Sequence, residues 1–195
     1  LYYFDAAGLG EQIRLAFRVG EVPFEDVRFS SDQWKNEPTW KERAPAGVAP
    51  YLELEDGRLL CESNAILMYA AARANLIPAD AVQAAFAHQA VCLLQSMFAI
   101  LRRFYSETED KNDICAALKA HCAMMDKIIG KTQSADGYVV GHNISYADLF
   151  IFTALKKALA TRRPELVDEV FAACPTLKRI CEVVESHPKV KAYYA

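Results

Sequence analysis

The chain has 195 residues, of which 53% are hydrophobic and 24% charged, with 8 Gly and 8 Pro. This composition excludes a disordered or collagen-like chain and suits one large domain or two small ones. A formal charge of −3, from 22 Lys and Arg against 25 Asp and Glu, provides no overall cationic field for nucleic-acid phosphates. The one basic cluster, residues 156–163, reads as a solvated helix face.

Leu1-Tyr2-Tyr3-Phe4 is a β-prone run that stops at the Asp5-Ala6-Ala7-Gly8 loop. Residues 11–19 follow as a helix, with Ile13, Ala16 and Phe17 on one face and Gly20 as its stop. Residues 26–29 read as a second strand. Residues 51–55 alternate at period two, and Asp56-Gly57 predicts a two-residue hairpin turn into residues 58–61. Ser63 is the expected N-cap of a helix carrying Ala65, Ile66, Met68 and Tyr69.

From Pro78 onward the pattern is helical. Asp80 and Gln83 form a capping-box-like start, followed by a stripe of Phe86, Leu93, Met97, Ile100 and Phe104. Further stripes run through Cys115, Leu118, Cys122, Met125 and Ile129, and through Leu149, Phe152, Leu155 and Leu159. The last comprises Leu177, Ile180, Cys181 and Val184, with Thr176 as the expected cap after Pro175. An α/β unit at 1–74, a linker at 75–79 and an all-helical unit at 80–195 are therefore expected.

Residues 81–101 contain no Asp, Glu, Lys or Arg and are long enough to span a bilayer. Gln83, His88, Gln89, Gln95 and Ser96 interrupt them, so a buried helix, partly covered by another subunit, is expected instead of a membrane span. The six cysteines form no CxxC pair and show no zinc-ligand spacing, so no metal is expected. Two cysteine pairs stand seven apart, as core positions would. With no signal peptide at its start, the chain is expected in a reducing cytoplasm.

Residues 1–14, LYYFDAAGLGEQIR, resemble the opening of a cytosolic glutathione transferase of the tyrosine type. The likeness is closest to the sigma class, which includes the haematopoietic prostaglandin D synthases. Tyr3, Phe4, Gly8, Glu11, Ile13 and Arg14 fall on that pattern in register, and the order of units along the whole chain agrees with it. The resemblance implies an α/β thioredoxin-like N-terminal domain and an all-α C-terminal domain. It also implies a homodimer that takes glutathione as co-substrate, holds no permanent cofactor and attacks hydrophobic electrophiles with the thiolate.

It further implies that Tyr3 is the catalytic hydroxyl that hydrogen-bonds the glutathione sulfur, favouring the nucleophilic thiolate over the thiol. Val48-Ala49-Pro50 looks like the thioredoxin-fold loop with a cis proline, in which Ala49 pairs main chain to main chain with the cysteinyl unit. Ser63 and the helix start would bind the γ-glutamyl carboxylate, with Glu62 accepting from its ammonium. Trp34 and Lys41 resemble the ligands of the glycyl carboxylate, with Trp40 and Lys35 as alternatives because residues 30–45 are longer than in close relatives. Leu9, Arg102 and Phe104 would line the electrophile site, and Gln95 would reach a neighbouring subunit's glutathione. Ser145 and Asp148 match a structural capping box.

Some positions depart from the pattern. Ala7 and Leu9 replace loop arginines, and Gln95-Ser96 stand where some relatives have an Asp. A non-catalytic scaffold, a ligandin-type carrier and a glutathione-dependent isomerase or peroxidase are the alternative functions.

Overall fold

The β-prone start of the chain folds as a parallel crossover. In the computed structural model, which describes residues 1–105 and 107–195, β1 (Tyr2–Phe4) pairs in parallel with β2 (Val27–Phe29). The helix α1 (Glu11–Val19) forms the connection, the expected arrangement for two parallel neighbours. On its other side β1 meets the hairpin through Tyr2, which exchanges both backbone hydrogen bonds with Tyr51 (2.9 and 3.2 Å).

The hairpin of β3 (Leu52–Glu53) and β4 (Leu59–Leu60) departs from expectation by one residue. The Leu54 N–H bonds the Arg58 carbonyl at 2.8 Å, so Glu55, Asp56 and Gly57 form a three-residue loop. Gly57, at φ 82°, takes the left-handed position that closes such loops. The helix α4 (Ser63–Arg73) also begins differently. Glu62 occupies the cap position at φ 68°, and Ser63 is the first helical residue. The Ser63 hydroxyl therefore does not serve as the N-cap.

Between β2 and the hairpin lie α2 (Ser31–Asn36) and α3 (Pro38–Arg43). The helical part of the chain continues with α5 (Ala81–Arg102), whose N-cap Asp80 accepts the Gln83 N–H at 2.9 Å. The buried face of α5 is Ala87, Ala90, Val91, Leu94, Met97, Phe98 and Leu101. Only Met97 of the expected stripe belongs to it; Leu93, Ile100 and Phe104 are half-buried and Phe86 is exposed. Small side chains at 87 and 90 let α5 approach its neighbours closely, which turns the bulkier residues outward. Ala81–Tyr105 is long and apolar enough to cross a membrane, but its buried face packs on neighbouring helices.

Those neighbours are α6 (Lys111–Ile129) and α7 (Tyr146–Phe152). Every residue of α7 is buried. Its start is fixed as expected by Asp148, whose carboxylate accepts from the Ser145 N–H (2.8 Å), the Ser145 hydroxyl (2.6 Å) and the Val139 N–H (2.7 Å). Burial pushes this carboxyl up to about 6, against the pull of the three donors.

The chain then widens into a π-helical stretch, Thr153–Leu159, before α8 (Ala160–Arg162) and α9 (Pro164–Ala173). The helix α10 (Pro175–Ser186) starts at Pro175 without help from Thr176. Its first turn is capped from α6, where Asp126 Oδ1 accepts the Leu177 N–H at 2.8 Å. The last helix, α11 (Pro188–Tyr194), returns to pack on α1. Cys115, Cys122, Cys174 and Cys181 are free thiols in the core, and burial raises Cys122 to about 12.

Two buried polar side chains give opposite expectations for stability. Asp148→Ala orphans three buried donors and lowers unfolding free energy by about 2–4 kcal/mol. Gln12 is fully buried, and neither amide atom has a hydrogen-bond partner among the described residues. Gln12→Leu therefore raises stability by about 1–2 kcal/mol. Urea unfolding of both variants measures these changes.

Candidate functional site

The site grows from the end of β1. Tyr3 projects from the strand, and its phenolic oxygen accepts the Leu9 N–H at 3.0 Å. The phenolic proton is thus free to be donated elsewhere. The loop needs two glycines to approach this ring. A Cβ on Gly8, which sits at φ 90°, would come within 2.8 Å of the Tyr3 hydroxyl, and a Cβ on Gly10 would overlap the ring itself.

Arg14, fully buried on α1, ties the same loop down. It donates to the Phe4 carbonyl (3.0 Å), the Ala6 carbonyl (2.9 Å), Asp26 (2.9 Å) and Glu11 (3.2 Å). Its guanidinium carbon lies 5.6 Å from the centre of the Tyr3 ring. Glu11 in turn accepts the Tyr194 hydroxyl at 2.8 Å, which joins the end of the chain to the site. Burial raises the Tyr3 pKa above the ordinary phenol value, while the Leu9 N–H, Arg162 and Arg14 pull it down. At neutral pH Tyr3 is a neutral hydroxyl, a donor and not a base.

A cavity of about 520 Å³ opens in front of Tyr3, between the two domains. The first domain contributes Leu9, Trp34, Val48 and Ala49 among others, and the second contributes Phe98, Arg102, Tyr105 and Arg162. Trp34 is held by stacking on Phe29 (5.1 Å between centroids) and by an edge contact with Phe4 (5.6 Å). The Ala49–Pro50 bond is cis, as expected. Neither the N–H nor the C=O of Ala49 has a backbone partner among the described residues.

Other expected residues stand apart from this cavity. Lys41 is exposed on α3, and Trp40 donates its Nε1–H to Glu37 at 2.8 Å. Glu62 and Ser63 do not line the cavity; they stand at the start of α4, where the Ser63 hydroxyl has no partner among the described residues. Gln95 is exposed on the outer face of α5.

Phe104 is displaced from the cavity wall. The chain tightens into a 3₁₀ turn at Arg103–Tyr105, which puts positions three apart on one side. Arg102 and Tyr105 thus face the cavity together, while Phe104 lies under Arg163, 5.5 Å from its guanidinium. Arg162, read from sequence as part of a solvated basic face, also lines the cavity. It donates to the Tyr105 hydroxyl (2.7 and 3.2 Å) and to the Ala158 carbonyl (2.8 Å). Tyr105 and Arg162 are 57 residues apart, and no local pattern links them.

Known proteins share both halves of this arrangement. Residues 1–72 match the family model "Glutathione S-transferase, N-terminal domain", and residues 96–195 match "Glutathione S-transferase, C-terminal domain". Glutathione S-transferase 1 of Ascaris suum is 29% identical over 100% of this chain and 94% of that protein. The crystal structure of a glutathione S-transferase from Ascaris lumbricoides is 28% identical, covers 99% of this chain and 94% of its own, and superposes with a TM-score of 0.83. Prostaglandin synthase D of Nilaparvata lugens, at 26% identity, covers 100% of this chain and 95% of its own, with a TM-score of 0.83.

The closeness of the loop to Tyr3 has a measurable consequence. Gly10→Ala must push the ring away and costs about 1–3 kcal/mol of stability. Gly57→Ala, at positive φ but with open space around it, costs only the backbone strain of about 1 kcal/mol. Denaturant midpoints of the two variants measure the difference, and Gly10→Ala alone also impairs catalysis.

Proposed function

The chain belongs to the glutathione S-transferase family and is a glutathione-conjugating enzyme, and we propose that Tyr3 is the hydroxyl that stabilises the thiolate. One observation carries this reading. The Tyr3 oxygen already accepts from the Leu9 N–H at 3.0 Å, so its own proton is available to a sulfur in the cavity. The neutral phenol donates to the thiolate more strongly than to the thiol, and that difference favours ionisation.

In this reading glutathione lies with its cysteinyl unit against the main chain of Ala49, whose N–H and C=O are free to pair with it as an added strand. Val48, which also lines the cavity, and Pro50 flank that edge. The γ-glutamyl carboxylate sits at the start of α4 on the Ser63 N–H and hydroxyl, which the capping position of Glu62 leaves unused. Glu62 accepts from the ammonium. Trp34 packs along the glycyl end and Lys41 balances its carboxylate; Trp34 has the stronger support because it lines the cavity.

The thiol proton leaves to solvent, and the thiolate attacks a hydrophobic electrophile held against Leu9, Phe98 and Tyr105. The chain supplies binding, orientation and charge stabilisation, with glutathione as co-substrate and no resident cofactor. The exposed face of α5, with Val82 62% and Phe86 38% exposed beside Cys92 and Gln95, supports a homodimer. The cytoplasm is the proposed compartment.

Steady-state kinetics with a neutral chlorodinitrobenzene test the role of Tyr3. Tyr3→Phe lowers kcat/KM by about 10- to 100-fold below neutral pH, the loss expected for one charge-assisted hydrogen bond. The gap narrows in alkali, where the thiol ionises unaided. An equal rate for both proteins across the pH range overturns the assignment.

A further inference from the structure

Two pairs of adjacent arginines, Arg102-Arg103 and Arg162-Arg163, flank the interdomain cavity, and they divide by partner. Arg103 pairs with Glu109 at 2.7 Å and Arg163 pairs with Glu165 at 2.8 Å. Arg102 and Arg162 line the cavity, and neither has a carboxylate partner among the described residues. Arg162 is half-buried and spends its donors on neutral oxygens, the Tyr105 hydroxyl and the Ala158 carbonyl. No Asp or Glu among the described residues lines the cavity. Two guanidiniums without a carboxylate partner thus share one cavity with Leu9, Trp34 and Phe98, which gives an apolar lining a positive charge.

We infer that this enzyme selects electrophiles that carry an anionic group on an apolar body, with Arg162 and Arg102 as the residues that set the preference. The inference rests on the proposed function and names the substrate class of the same site. A conjugated aryl ketone bearing a carboxylate has the required chemistry. Its ring lies among Leu9, Trp34 and Phe98, and its carboxylate takes N–H donors from the guanidiniums. Tyr105 assists, since its oxygen accepts from Arg162 and its proton remains free to donate.

The step adds the thiol across the double bond. The thiolate forms a C–S bond at the β-carbon, the π pair moves to the carbonyl oxygen, and the resulting enolate takes a proton from water. The thiol's own proton has already left to solvent, so nothing else is consumed or released. The Arg162 charge also opposes the burial-driven rise at Tyr3.

The test compares an aryl enone carboxylic acid with its methyl ester, each rate divided by the uncatalysed rate with glutathione. The wild-type kcat/KM ratio of acid to ester is expected to be about tenfold or more, from one charge-assisted contact. In Arg162→Gln, and further in the Arg102→Gln/Arg162→Gln double variant, the ratio falls toward unity. Because it is a ratio, any common effect on folding or on the thiolate cancels. The wild-type preference also weakens as salt is added. A wild-type ratio near unity with both compounds conjugated overturns the inference and leaves the proposed function standing. A preference that survives in the double variant overturns the assignment to these arginines. If neither compound is conjugated, nor the neutral chlorodinitrobenzene, the proposed function itself fails and the inference with it.

Discussion

Arg14 is the constraint on which the site depends. Its guanidinium is fully buried, yet it finds two carboxylates and two backbone carbonyls within 3.2 Å. A buried cation this well partnered fixes geometry, because losing any one partner leaves charge or polarity uncompensated. Through Phe4 and Ala6 it sets the path of the chain leaving β1, through Asp26 the approach to β2, and through Glu11 the start of α1. Tyr3 lies on that frame. The Leu9 amide that meets its oxygen and the glycines that admit its ring all belong to the loop Arg14 holds.

The same network joins the domains. Glu11 accepts from Tyr194 of α11, and the Lys157 ammonium stands 3.5 Å from the centre of the Tyr194 ring. The first domain thus supplies the hydroxyl and the backbone edge, and the second supplies Phe98, Tyr105 and the two arginines of the opposite wall. Tyr3 is placed where burial and nearby donors oppose each other. It remains a protonated phenol, and its hydrogen bond strengthens as charge develops on a sulfur in front of it.

Much of this was legible in residues close together in sequence. The Asp148 cap follows from a few neighbouring residues, whereas the cis proline and the part played by the Tyr3-to-Arg14 segment were legible only through the resemblance to the family. Misreadings arose where a distant element decides. The start of α10 is capped by Asp126 from α6, fifty-one residues away, so Thr176 looked like the cap. The core face of α5 is chosen by close packing of Ala87 and Ala90 on other helices, not by its largest side chains. Glu62 takes a left-handed conformation that sequence does not favour, which moves Ser63 from cap to first helical residue. Arg162 escaped notice because it follows a π-helical stretch, whose wider turns shift the phase of everything after it relative to a 3.6-residue repeat. The meeting of Arg102 and Tyr105 likewise depends on a tightened turn.

The central claim is that a neutral Tyr3 stabilises an ionised thiol. Ultraviolet difference titration of bound glutathione against pH, in the wild type and in Tyr3→Phe, tests it most directly. The thiolate absorbance should appear well below the ordinary thiol range of about 8.5 in the wild type and return toward that range in the variant. A bound thiol that titrates as it does in water, or a lowered value that survives Tyr3→Phe, contradicts the claim.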